Sequence, residues 1–147
     1  NIGNKYNLKP GAPNHAERIE GGLLSYGNDM LITDNPYECG FEKSVNLDTN
    51  IDFLGKESLK KIKDKGITKK LVGVKIDTKE LSLSDTELLD LNNQIIGELR
   101  SAAFSPKFNK IVGISMMKNE FSQITNKFQI EVDKKYVSGE VTNLPIT

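Results

Sequence analysis

The chain has no tryptophan, one cysteine and one histidine. A single Cys39 cannot close a disulfide within the chain, so a reducing, cytoplasmic setting is the simpler expectation. A single His15 excludes a multi-histidine metal centre, and one Cys with one His leaves too few ligands for zinc. A Ser-His-Asp triad would have to use His15, which has no nucleophile-elbow motif beside it. Positive and negative side chains balance, at 20 each. No global field therefore draws the chain to nucleic acid or a membrane surface, and neither is expected as a partner. Long apolar runs are missing too: Ile111 to Met117 is among the longest, far below the roughly 20 residues of a spanning helix. The start, which is Asn rather than Met, shows no apolar signal-peptide core.

What is present suits a globular protein: 147 residues, 37% hydrophobic and 27% charged. Lys, Asn and Ile are abundant, as AT-rich coding would produce. Lysine is the default cation, with 18 copies against two arginines, Arg18 and Arg100. Those two are therefore candidates for work that needs a planar fork.

Residues 1–13, rich in Gly, Pro and Asn, read as a connector with turns. Residues 15–25 read as a strand or a short irregular segment. "FEKSVNLD" (41–48) alternates well enough to predict a strand. "GKESLKKIKDKG" (55–66) predicts a surface helix, with Leu59 and Ile62 on one face and Gly66 as its stop. Its lysines read as a solvated face, since no aromatics are interleaved. Beyond Gly66 the pattern changes. "KKLVGVKID", "ELSLSDTELL", "NNQIIGELR", "FNKIVGISMM", "KFQIEVD" and "YVSGEVTNLP" are short strand-like runs at regular spacing. The last two predict a hairpin around Asp133-Lys134-Lys135. This spacing predicts a small closed β-barrel. The expected division is 1–66, an incomplete α+β piece, and 67–147, a six-stranded barrel domain.

The motifs fall in a specific order. "ERIEGGLLSYGND" resembles the "LRLEAG-x-x-LYGxD" stretch of the glycine cleavage T-protein family of folate-dependent enzymes. "NPYECGFEKSVNLD" resembles its "TPxEAGLxWxVxLD", and "IDFLGKESLKKIKDKG" its "xDFIGKEALxxxKxKG". "IIGELRSAAFSPKFNKIVGIS" resembles "xIGxVTSGxFSPxLxxxIAxA", and "VTNLP" the closing "VxxLPF". The resemblance covers the C-terminal half of the family's usual length. It implies an α+β fold that runs on into the barrel, a tetrahydrofolate cofactor, and a start in mid-protein. The missing N-terminal half of the same protein would then be a partner and would hold the acidic catalytic residue. No catalytic residue is assigned here. A homodimer is left open.

One departure is informative. Where the aminomethyltransferases carry "ARD" before "xLRLE", this chain has Pro13, Asn14 and His15. The local wording is most similar to the demethylase subgroup that moves a methyl from the sulfonium of dimethylsulfoniopropionate to tetrahydrofolate. Two rivals stay open. One is the aminomethyl transfer of glycine cleavage. The other is a non-catalytic folate-binding accessory role in iron–sulfur assembly, whose "KGCYxGQ" signature is absent from "NPYECGF".

Methyl transfer from a sulfonium needs positioning more than a nucleophilic side chain. The resemblance carries over six candidate folate-contacting residues. Arg18 is read as a fork for a carboxylate, or as a structural ion pair with Glu20, with Glu42 or with the missing half. Tyr26 is read as a stacking surface, or as a core residue with its hydroxyl satisfied. Glu38 matches a family Glu in a turn leading into a strand. Cys39 replaces a family Ala and reads as a small space-filler facing the cavity. Arg100, in place of a family Thr, and Ser101 sit where a barrel loop would reach the cleft.

Overall fold

The computed structural model describes residues 5–8, 14–82 and 86–147. Most of the connector expected over 1–13 lies outside the described residues, as does the middle of the 80–89 segment.

Six strands close into an antiparallel barrel in the order β1-β4-β3-β2-β5-β6. They are β1 (Lys69–Ile76), β2 (Glu87–Leu89), β3 (Ile95–Ser105), β4 (Lys110–Lys118), β5 (Lys127–Val132) and β6 (Lys135–Thr142). The predicted barrel is therefore present, and it closes where β1 meets β6, Gly73 lying opposite Thr142. One buried cluster draws on all six strands, with Val74, Leu88, Ile96, Met117, Phe128, Ile130 and Val141 among its members. That cluster is the barrel interior.

Side chains alternate between the faces of a strand. The odd-numbered partners Leu71 on β1 and the even-numbered Val112, Ile114 and Met116 on β4 form a second cluster with Ile19 and Ile146. These two strands are apolar on both faces because the outer face is covered as well. The cover is α1 (His15–Glu20), whose Ile19 is fully buried.

Residues 15–20 are thus helical, not a strand or an irregular segment. Asn14 explains the difference. Its side chain accepts from the Glu17 amide while the Glu17 carboxylate accepts from the Asn14 amide, a capping box. The expected strand over 41–48 is also absent. Glu42–Ser44 forms a single 3₁₀ turn, and no described strand runs beside it to take its backbone hydrogen bonds. The surface helix α2 (Lys56–Lys65) forms as expected, with Gly66 at φ 81° ending it and no fully buried residue.

The β5–β6 hairpin turns through Asp133 and Lys134, both at positive φ (49° and 62°), the backbone that matches strand twist in a two-residue turn. Gly139 sits directly opposite Phe128 in this pair and leaves room for its ring. No helix among the described residues is long and apolar enough to cross a membrane.

Candidate functional site

The polar groups gather where the chain from 14 to 40 packs against β3 and against Lys69 at the start of β1. Asp29 is fully buried. Arg18 Nη1 donates to its Oδ2 at 2.6 Å and to the Leu23 carbonyl at 2.7 Å. The Ser25 amide also donates to Oδ2, at 2.7 Å. Ser101 Oγ donates to Oδ1 at 2.5 Å. Three donors therefore hold one buried carboxylate, which is how a buried charge is tolerated. Arg18 makes an ion pair, but its partner is Asp29 and not Glu20 or Glu42. Glu20 instead accepts from Ser105 Oγ at 2.6 Å.

A second ionic group lies nearby. Lys69 Nζ contacts Asp34 Oδ1 at 2.5 Å and Glu38 Oε2 at 3.8 Å. Burial pushes the Asp34 carboxyl up. Hydrogen bonds from Lys69 and the Leu31 amide, with the charges of Lys69 and Arg100, outweigh it and hold Asp34 below the usual carboxylate range. Glu38 is buried and accepts from the Asn35 amide at 3.1 Å, while Asn35 Oδ1 accepts from the Tyr37 and Glu38 amides. This is an Asx-type turn. It leads into the 3₁₀ turn rather than the expected strand.

Cys39 follows in the same turn and is buried. Burial, and then the charges of Asp34 and Glu38, push its thiol up. A protonated thiol is a poor nucleophile. Cys39 lines a cavity of about 330 Å³ with Leu24, Phe41 and Lys70.

A larger cleft of about 550 Å³ opens where α1, β3 and the 79–82 segment meet. His15, Asn28, Lys79, Arg100, Ser101 and Phe104 are among its walls. Arg100 and Ser101 reach it from inside β3, not from a loop. The β3–β4 register slips between Leu99 and Ser101, so Arg100 is the extra residue of a β-bulge. Bulges re-aim side chains. Here Arg100 is turned onto the same outer face as Ser101. Its side chain is only 10% exposed, and its Nη2 lies 3.4 Å from Glu98. Its Nε–H is buried and has no partner among the described residues.

Tyr26 is 70% exposed, so it stands outside this chain's own core. The structure thus joins Arg18 to Ser101 through Asp29, sets Glu38 and Cys39 in one turn, and puts Arg100 and Ser101 on the cleft. The sequence reading missed Asp29, Asp34 and Lys69. Asp29 had a signal, since it is the Asp that closes "YGND". Asp34 and Lys69 had none, for they are 35 residues apart and look like surface charges.

The arrangement suits binding and positioning rather than nucleophilic chemistry. Asp29 and Asp34 are already held by donors and the Cys39 thiol is protonated, so among the described residues the open chemistry lies in the buried Arg100, the exposed Tyr26 ring and the polar cleft.

Residues 69–147 match the family profile described as the glycine cleavage T-protein C-terminal barrel domain. The chain is 37% identical over 118 residues to an aminomethyltransferase of Clostridium botulinum (strain Langeland), covering 80% of this chain and 32% of that protein. It is 30% identical over 128 residues to an aminomethyltransferase of Prochlorococcus marinus, covering 87% and 34%. The crystal structure of glycine cleavage system aminomethyltransferase T from Bartonella henselae superposes with a TM-score of 0.82 at 23% identity. That match covers 90% of this chain and 37% of the other. The chain therefore spans about a third of the length of the curated relatives it matches.

Proposed function

Because this chain belongs to the glycine cleavage T-protein family, we propose that its parent protein is a folate-dependent transferase whose methyl donor is dimethylsulfoniopropionate. The products are methylmercaptopropionate and 5-methyltetrahydrofolate. Tetrahydrofolate is the family's cofactor and supplies the accepting N5. The residues here fit it in part, since Arg100 offers an unfilled donor to a carboxylate and the cleft is large enough for a flat ring.

The observation that carries the choice of donor is that Asn14 and His15 stand at the start of α1, where the aminomethyltransferases carry Arg and Asp. Asn14 is used up in capping, and His15 lines the cleft where the aminomethyltransferases have an acid. Tyr26 would present a π face to the sulfonium cation. Arg18, Glu38 and Ser101 hold the wall to which Arg100 is attached, and Cys39 fills space behind it. The remainder of the parent chain completes the cleft, and the setting is cytoplasmic.

The names of the relatives favour a second reading, aminomethyl transfer in glycine cleavage. Incubating the parent protein with tetrahydrofolate and either donor separates the two. Accumulation of 5-methyltetrahydrofolate with dimethylsulfoniopropionate is expected. Turnover of an aminomethyl donor alone would overturn the demethylase reading.

A further inference from the structure

We propose that Arg100 is a carboxylate-reading subsite of the 550 Å³ cleft. The inference deepens the folate-dependent reading, on which its choice of ligands rests. Three observations carry it. First, Arg100 is delivered by a backbone irregularity. Without the bulge between Leu99 and Ser101, strand alternation would place Arg100 and Ser101 on opposite faces. The bulge puts both on the outer face, next to the Asp29–Arg18 anchor.

Second, the guanidinium is underused. Its side chain is nine-tenths buried, its Nε–H meets no described acceptor, and its one ion-pair contact, Glu98, is long at 3.4 Å and 56% exposed. A buried donor left without an acceptor costs free energy unless something else takes it up. The acceptor that matches a guanidinium edge is a planar, two-oxygen anion. Third, the buried carboxylates of the same wall are committed. Asp29 is filled by Arg18, Ser25 and Ser101, and Asp34 by Lys69 and Leu31. Neither has an oxygen turned to Arg100 by a hydrogen bond.

The ligand class is a small or tethered carboxylate. Two molecules of the proposed reaction carry one: the methyl donor, through its propionate, and the folate, through its glutamate tail. Arg18 and Arg100 are the chain's only arginines, so a ¹⁵N-labelled sample gives two Nε–H signals, assigned with the Arg100→Lys variant. The parent protein, with only this 147-residue segment ¹⁵N-labelled by ligation, would be titrated with four probes: dimethylsulfoniopropionate, its amide, tetrahydrofolate, and tetrahydrofolate with both glutamate carboxylates converted to amides.

The Arg100 Nε–H signal is expected to move with at least one acid and to stay with its amide. Movement with dimethylsulfoniopropionate assigns the donor; movement with tetrahydrofolate assigns the tail. By calorimetry, Arg100→Gln should weaken that acid roughly tenfold, as for loss of a charge-assisted hydrogen bond, and leave its amide unchanged. Equal shifts for acid and amide, or no shift with any probe, would overturn the inference. Folate binding that leaves the Arg100 signal still would overturn it while leaving the folate reading standing. The wild-type titration decides the question even if Arg100→Gln fails to fold.

Discussion

Ser101 and Asp29 lie 72 residues apart in the chain and share a 2.5 Å hydrogen bond, Ser101 Oγ donating to Asp29 Oδ1. The other oxygen of the same carboxylate is held by Arg18 at 2.6 Å. One fully buried acid therefore ties α1, the turn at 25–29 and the bulged part of β3 together. Anything that loosens this tie moves the wall on which Arg100 sits.

Removing either charge should be costly. Arg18→Ala leaves a buried carboxylate without its cation, and Asp29→Asn leaves Arg18 facing a neutral amide. Each is expected to lower stability by about 3 kcal/mol, while Ser101→Ala loses a single hydrogen bond worth about 1 kcal/mol. The double variant Arg18→Ala/Asp29→Asn should cost less than the sum of the two. Urea unfolding midpoints measure all four. Additive losses would show that the pair does not act as a unit.

Acid should weaken the fold through Asp34. Its folded carboxyl is held below the ordinary value of 3.8. A group whose pKa falls on folding contributes stability that is fully present above its unfolded pKa. That contribution declines as pH drops below about 3.8 and is gone below the folded value. Asp34→Asn should therefore be less stable than the wild type at pH 7, with the gap narrowing towards pH 2. Stability curves over that range would test the sign, and a gap that widened in acid would contradict it.

Cys39 should be a slow thiol. Burial and the neighbouring acids push it above the ordinary 9.0. Alkylation in the native state at pH 7.5 should be far slower than in urea, and its rate should still be climbing above pH 9. Cys39→Ala should retain the ligand titration of the wild type. Rapid native labelling at neutral pH would reopen a reactive role.

The barrel interior should reject even one methyl at Gly139. A Cβ built there collides with the Phe128 ring, which is buried in the barrel interior. Gly139→Ala is expected to cost about 3 kcal/mol, at the upper end for overpacking. The double variant Gly139→Ala/Phe128→Leu should recover part of the loss. Thermal unfolding by circular dichroism reads both.

The barrel was legible because its strands are local patterns. Apolar runs such as Leu71-Val72 and Ile111 to Met117, punctuated by Gly, Asn and Asp, follow from two-fold strand periodicity alone. The helix over 56–65 was legible for the same reason, with Gly66 marking its end. The segment 41–48 has a strand-like alternation but no strand to pair with among the described residues, and pairing is a non-local condition. The helix at 15–20 was missed because two glycines follow it at once. Its capping box, written as Asn14 and Glu17, could have been read.

The site divides in the same way. The sequence by itself determined which rare residues were available: two arginines, one thiol, and a compact run from Arg18 to Asp29. Only the tertiary structure decided their partners. Barrel register and one bulge set Ser101 against Asp29 and turned Arg100 towards the cleft. A one-residue slip in a strand changes which face every later side chain occupies, and that slip is fixed by the neighbouring strand rather than by the residues that move.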